Sequence, residues 1–427
     1  MRWPPGSSTV VPVVDTSVHV DRDLVQSRTV RTLASSQILS GVAVAGSLPA
    51  GALLAASVSG SEAMAGLAQT FGVVGAALLA LPLARIALSR GRRAALSLGY
   101  VLGAAGAVVV VVGAVQRSIV LVLVGCLLVG MASAAAYQAR YAATDLAAPD
   151  RRARALSVVV WAATIGAVLG PNLLNASGEL GLRLGLPQLS GPYVVAAGTL
   201  IAAAVILLVF LRPDPYMVSR AVLDTPHAPM THPRLRDGIE HVRRHPAAVL
   251  GITTIAVGHV AMVMVMVMTP VHMAHVDVTL QLIGLVISVH VVGMYAFSPL
   301  VGMAVDRYGR IPVIGVGVGV LIAACVISGL APAHDVVLLG VGLFLLGLGW
   351  SCTLIAGSTL VTDAVSPEER PAVQGLSDLA MNTAGALGGA MAGLIVFLGS
   401  YGILCAVAAI PVIGLGLAIS TRRVREL

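Results

Sequence analysis

Apolar runs of about 20 residues follow one another along nearly the whole chain, and each is long enough to cross about 30 Å of hydrocarbon as a helix. No other feature limits the possible folds so sharply. Only 11% of the 427 side chains are charged and 57% are hydrophobic, whereas a soluble domain carries about a quarter charged residues. A soluble fold would need a dozen helices buried on every side, with little chain left to cover them. A transmembrane barrel is excluded by the runs themselves: barrel strands are about ten residues long and alternate polar with apolar, and these runs do not alternate. Lipid accepts only backbones satisfied internally, so the glycine-rich runs must be helical and closely packed. The expected class is an all-α membrane protein.

Twelve spans are expected, at roughly 33–58, 63–87, 94–115, 118–142, 155–176, 191–211, 248–271, 279–303, 311–330, 336–359, 371–397 and 400–420. Residues 1–32 read as a cytoplasmic tail rather than a signal peptide, because no apolar core with a cleavage site follows a basic start. A six-helix bundle at 33–211 and another at 248–420 flank a linker at 212–247, and 421–427 forms a second tail. Within the linker, 235–244 has the pattern of a short amphipathic helix on the membrane surface. A glycine-rich loop with Glu179 and Arg183 joins the fifth and sixth spans. An even number of crossings puts both termini on one side. Every basic residue is an arginine. The loops opposite the termini hold only Arg117 and Arg183, and this bias makes the other side cytoplasmic in a cell membrane. It also accounts for the net charge of +7 without nucleic acid as a partner.

The chain repeats itself. The offset that carries Gly91-Arg92 onto Gly309-Arg310 also carries Thr144-Asp145 onto Thr362-Asp363, Pro149 onto Pro367, Arg152 onto Arg370 and Gly170 onto Gly388. One match would mean little in a chain with 47 glycines. Five at a single offset argue for two six-helix pseudo-repeats.

Gly302-Met-Ala-Val-Asp-Arg-Tyr-Gly-Arg310 is a charged hinge between two apolar runs. Gly302 lets two helices approach closely. Asp306 can accept bonds from the exposed amides at the next helix start, or pair with an arginine. Gly309 turns the chain, and Arg307 and Arg310 hold the cytoplasmic end. Such a cluster can gate a transporter by latching one of its states; the bland alternative is an ordinary charged turn. The stretch resembles the loop motif of the major facilitator superfamily, which occurs between the second and third helices and again between the eighth and ninth, where it falls here. The first copy departs from the pattern: Ala84 stands for the glycine, Leu88 for the aspartate and Ser89 for the arginine, while Gly91, Arg92 and Arg93 remain. The resemblance covers nearly all of 33–420. It implies a monomeric secondary transporter, with no cofactor and no enzymatic activity, whose two bundles rock around a central cavity.

Gly166-Ala-Val-Leu-Gly170-Pro171 lies in the fifth span. The two glycines make a flat face for a neighbouring helix, and Pro171 lacks an amide and can bend the chain. The superfamily's antiporter members carry a Gly-x3-Gly-Pro motif on this helix. The match covers Gly166, Gly170 and Pro171, while Asn172-Leu173-Leu174 replace the usual glycines that follow. The resemblance therefore favours export by proton antiport; a packing-only role for the glycines stays open.

Ionisable side chains inside lipid are costly and mark candidate sites. Asp378, followed by Asn382, lies within the eleventh span and is the first candidate proton carrier; a later helix start would make it interfacial. Arg140 and Gln138 lie in the inner part of the fourth span, where an arginine needs a carboxylate, a carbonyl or an anionic substrate. His259 and His290 sit in the middle of the seventh and eighth spans. Each can exchange protons near neutral pH, and each can equally be a neutral hydrogen-bonder. Gln37, Gln69, Asn172 and Asn175 are weaker cavity candidates.

Residues 262–268 alternate methionine with valine. Thioethers suit Cu(I), yet alternation spreads them around a helix and no cysteine or carboxylate completes a metal site. Met262 and Met266 read instead as adaptable lining for a hydrophobic or amphiphilic substrate. The cysteines, Cys126, Cys325, Cys352 and Cys405, lie in apolar runs without CxxC spacing and read as structural thiols. The chain has no lysine, which excludes a Walker sequence. The expectation is proton-coupled efflux of a small molecule. Proton-coupled uptake of a nutrient, or a non-transporting sensor on the same fold, are the alternatives.

Overall fold

The computed structural model describes residues 22–60, 63–222, 235–274, 276, 278 and 280–421. Residues 1–21 and 422–427 of the expected tails, and 223–234 of the linker, lie outside the described residues. The helices are α1 (Arg22–Ser59), α2 (Ala63–Val115), α3 (Ile119–Ala142), α4 (Arg152–Asn172), α5 (Leu174–Arg183), α6 (Gly191–Phe210), α7 (Pro215–Val222), α8 (Leu235–Arg244), α9 (Pro246–Ala274), α10 (Leu280–Tyr295), α11 (Ser298–Tyr308), α12 (Arg310–Leu330), α13 (Val336–Asp363), α14 (Arg370–Leu398) and α15 (Tyr401–Ser420). Among the described residues, eleven helical segments are long and apolar enough to cross a membrane.

Two glycines break long helices at repeat-equivalent positions. α2 is 53 residues long and is interrupted at Gly91, whose φ of 86° and ψ of 172° are closed to side chains with a Cβ. Gly309, with φ 95° and ψ 168°, separates α11 from α12 in the same way. The expected eighth span also divides near Phe297, where Pro299 enters the first turn of α11 and cannot donate a backbone bond. One expectation is corrected: the glycine-rich stretch after the fifth span is the helix α5. Its Ser177, Gly178 and Gly181 are buried because Gly191 lets the start of α6 lie against them; a Cβ on Gly191 would stand 1.9 Å from the Ser177 carbonyl oxygen.

The two halves pack alike. α1 lies against α4 and α6, and α2 against α3; correspondingly α9 lies against α14, and α12 against α13. Buried apolar residues form two clusters, one built from residues 33–211 and one mainly from 242–415. Gly166 and Gly170 fit α4 against Gly41 and Gly46 of α1, with a Cβ on Gly166 only 2.5 Å from the Ile38 carbonyl oxygen. Contacts between halves run through α4 with α11, and α14 with α2 and α3. These are the contacts that position the polar site.

Candidate functional site

α3 and α14 each turn one charged side chain into the contact between the halves. Arg140 Nη2 donates to Asp378 Oδ1 at 2.7 Å, and the two residues are 2% and 0% exposed. The guanidinium carbon lies 4.6 Å from the Tyr141 ring centre and 5.8 Å from that of Tyr137, so two aromatic faces hold the cation in place. Tyr141 in turn donates to Ser377 Oγ at 3.1 Å. Asn382 Nδ2 donates to the Asp378 carbonyl oxygen at 2.7 Å. Asp378 Oδ2 and Arg140 Nε are buried without a hydrogen-bond partner among the described residues. Asp378 is thus inside the protein rather than interfacial.

A cavity of about 160 Å³ lies beside this pair, with Ser47, Gln69, Ser133, Tyr137, Tyr193 and Asn382 in its wall. Tyr137 separates the cavity from Arg140, on which it packs, and Asn382 reaches from the same wall to the main-chain carbonyl of Asp378. The Tyr193 hydroxyl donates to the Ser47 carbonyl at 3.1 Å and fixes the far wall.

The arginine-rich end, where α4 and α14 begin, ties the halves together. Asp306 Oδ1 and Oδ2 accept from the amides of Ala153 and Arg154 at 3.0 and 2.9 Å. The helix start that it caps is therefore that of α4 in the other half, not that of the following α12. Gly302 makes room for this approach: a Cβ there would stand 2.2 Å from Ser157 Oγ. Arg310 Nε donates to Asp363 Oδ2 at 2.9 Å, Arg152 bonds Asp363 Oδ1, and Arg310 Nη2 reaches the Pro149 carbonyl at 3.2 Å. Arg307 is exposed, its guanidinium carbon 5.4 Å from the Tyr308 ring centre, and takes no part in this network.

The repeat-equivalent pair is Arg92 and Asp145. Arg92 Nε and Nη2 donate to Asp145 Oδ2 and Oδ1 at 2.8 and 3.2 Å, and Nη2 also donates to Gln374 Oε1 of α14. Burial pushes the Asp145 carboxyl above its ordinary value, and the Arg92 guanidinium beside it pulls the other way. Along α14 the ties to the first half thus follow a turn apart: Gln374 to Arg92, then Ser377 and Asp378 to Tyr141 and Arg140. Neither Arg92, Asp145, Gln374, Arg152 nor Asp363 stood out by residue type. For the four charged residues the signal was the offset, which already paired Arg92 with Arg310, Asp145 with Asp363 and Arg152 with Arg370; Gln374 falls opposite Leu156 and had none.

The remaining candidates sit as follows. His259 Nδ1 accepts from Trp350 Nε1 at 3.0 Å, which fixes a neutral ring protonated at Nε2. His290 Nδ1 donates to the Leu343 carbonyl oxygen at 2.8 Å, and His290 is fully buried. Gln37 donates to Ala136 O and accepts from Tyr100, and Gln138 donates to Ala80 O at 2.8 Å; both tie helices of the first half. Asn172 is exposed and donates to Val168 O at 2.6 Å, and Asn175 is exposed on α5. Met262 belongs to the second half's core, with Met266 packed against it. Pro171 lies in the last turn of α4.

A family model described as Major Facilitator Superfamily matches residues 33–279 and 259–426. The chain is 38% identical to the uncharacterized MFS-type transporter YdeG of Bacillus subtilis (strain 168), over 88% of this chain and 87% of that one. It is 29% identical to the riboflavin transporter RfnT of Brucella anthropi, over 78% and 79%. Its fold is similar to the crystal structure of the human organic anion transporter MFSD10, with a TM-score of 0.71 at 17% identity over 92% of this chain and 99% of that one.

Proposed function

The chain belongs to the major facilitator superfamily, and on that premise we propose that it takes up a small metabolite together with protons. Secondary active transport by alternating access, in a multi-pass membrane protein that is not an enzyme, follows from the family. Direction, coupling and residue roles are the proposal. In it α2 crosses twice, once on each side of Gly91, so that twelve crossings form bundles at 33–211 and 248–420. The arginine bias places the termini and the latch in the cytoplasm. The working unit is a monomer in lipid.

The Arg140–Asp378 pair is the observation that carries proton coupling. An ionised carboxylate with one oxygen buried and unpartnered is under-satisfied, and a proton there would neutralise it. Protonation removes the charge that holds Arg140 to α14, and so loosens one tie between the halves. The ties of Asp306, Arg310 and Arg92 then part as the bundles rock. With the arginine-rich end latched, the chain stands in a state closed to the cytoplasm and suited to receiving substrate from outside. His259 is a second proton acceptor only if it gives up its bond to Trp350; His290 stays a structural hydrogen-bonder.

Uptake is favoured over export by two observations. A relative at 29% identity is named for transport of a vitamin. The glycines that match the antiporter motif are engaged in packing α4 on α1, which accounts for them without export. The likeness to MFSD10 bears on fold alone. The test is purified protein in liposomes with a pH-sensitive dye inside and an acidic exterior, to which riboflavin and a panel of small metabolites are added. Uphill accumulation with proton entry supports the reading; accumulation only when the gradient is reversed, with an acidic interior and protons leaving, would establish antiport and export.

A further inference from the structure

We infer that the substrate is a small organic anion whose carboxylate replaces Asp378 on Arg140 once Asp378 has been protonated. The inference rests on the transport reading above and names the substrate class for the same site.

Two buried arginine–carboxylate pairs in this structure differ in a telling way. Arg92 holds Asp145 at two points, Nε and Nη2 on the two oxygens, and has Nη1 buried without a partner among the described residues. Arg140 holds Asp378 through one donor on one oxygen, and its Nε is left as a buried spare donor. A guanidinium with that spare donor can grip a carboxylate in the two-point geometry that Asp378 does not supply. The cavity comes within one side chain of the pair: Tyr137 lines it and packs on the guanidinium, and Asn382 lines it and bonds the main-chain carbonyl of Asp378.

Charge balance selects an anion. Arg140 cannot lose its proton, and the faces of Tyr137 and Tyr141 keep it in place. A proton on Asp378 alone would leave that cation buried and uncompensated, which is strongly unfavourable. A proton arriving with a monoanion leaves the count unchanged: Asp378 becomes neutral and the substrate carboxylate takes over the pairing. A cation would place a second positive charge beside the first. Neither proton nor anion is accommodated well alone, and this is what couples them. One proton binds the Asp378 carboxylate, one monoanion binds Arg140, and both leave on the other side, so the cycle carries no net charge.

The charged and titratable groups around Asp378 are consistent with this assignment. From α3 they are Arg140, Tyr137 and Tyr141, from α2 Arg92, and from α9 His259. Arg92 is already engaged by Asp145, and His259 is neutral. On the other helices packed against α14, Glu240, Arg243 and Arg244 of α8 are exposed, Asp363 of α13 is bound by Arg310 and Arg152, and Tyr401 of α15 bonds Thr269.

The test uses purified full-length protein and a matched probe set: benzoate and nicotinate, their neutral amides, benzylamine, and riboflavin as a neutral planar compound. Thermal stabilisation is read at pH 6 and pH 8. The expected result is stabilisation by the carboxylates alone, at least tenfold tighter at pH 6. It disappears in Arg140→Gln, and in Asp378→Asn it is retained at both pH values. Thermal midpoints without probe show that each variant is folded. Stabilisation by amides, amine or riboflavin but not carboxylates overturns the inference, as does carboxylate binding that survives Arg140→Gln or silence of the whole set. In liposomes, proton entry driven by a neutral or cationic solute would keep the transport reading and sink this one. Carboxylate uptake without proton entry would do the reverse.

Discussion

Gly375 on α14 lies so close to Ala84 on α2 that a Cβ built on the glycine would stand 2.5 Å from the alanine's own Cβ. The repeat offset carries Ala84 onto Gly302, and it carries Ser157 onto Gly375. Gly302 and Ser157 form the equivalent contact between α11 and α4. Each side of the pseudo-twofold therefore keeps one glycine against one small residue, with the glycine on opposite partners. Where the first copy of the motif has Ala84 instead of the glycine, Gly375 of the other half supplies the room.

On the proposed mechanism, closing the arginine-rich end requires both contacts. Gly375→Val and Gly302→Val should each disfavour the latched state by about 1–3 kcal/mol through overpacking, while the halves stay folded. Alkylation of Ser377→Cys, buried in the latched state, should rise about tenfold or more in these backgrounds. Unchanged labelling would show that the contacts do not gate.

Asp306 caps α4 across the interface, so Asp306→Ala should cost about 1 kcal/mol, and the loss should appear in the latched population rather than in folding. Arg307→Ala, altering an exposed side chain outside the network, should stay within about 0.5 kcal/mol. Comparison of Ser377→Cys labelling and thermal midpoints in the two variants checks both statements.

Arg92 and Asp145 form a buried pair, and Arg92→Ala strands a carboxylate. A loss of about 3–5 kcal/mol is expected, seen as poor yield of monodisperse protein. Removing both charges, as in Arg92→Met with Asp145→Leu, should recover most of it. If the single variant is as stable as the wild type, the pair is not structural.

His290 Nδ1 bonds Leu343 O, and its Nε2 has no hydrogen-bond partner among the described residues. His290→Leu should cost about 1–2 kcal/mol and leave pH-driven uptake intact. Loss of coupling with unchanged stability would return His290 to the proton path.

Much of the fold was legible because lipid imposes run length and repeat period directly. The spans of α3, α12, α13 and α15 lie within a few residues of their expected bounds. α5 was missed because its glycines read as a loop, while their use is close packing against Gly191. At the site, Asp378 and Arg140 were visible as charges in apolar runs, but their pairing joins helices far apart in sequence and no local pattern encodes it. Asp306 was legible as a cap, yet which helix it caps depends on how the halves meet. Tyr137, Tyr141 and Trp350 carried no signal, since an aromatic residue in a membrane helix is ordinary.

On the proposed mechanism, protonation of Asp378 loosens the tie between the halves and lets the arginine-rich end open. Arg151 and Arg307 lie exposed on opposite halves at that end, and the native cysteines are all buried. Spin labels on Arg151→Cys and Arg307→Cys report the separation directly by electron–electron resonance. In the otherwise wild-type protein, with benzoate present throughout, a short distance should dominate at pH 8, and a longer one should grow in at pH 5.5. With Asp378→Asn the longer distance should already be present at pH 8 and should not change with pH. A distance distribution that responds to pH identically with and without Asp378 would exclude this role for the carboxylate.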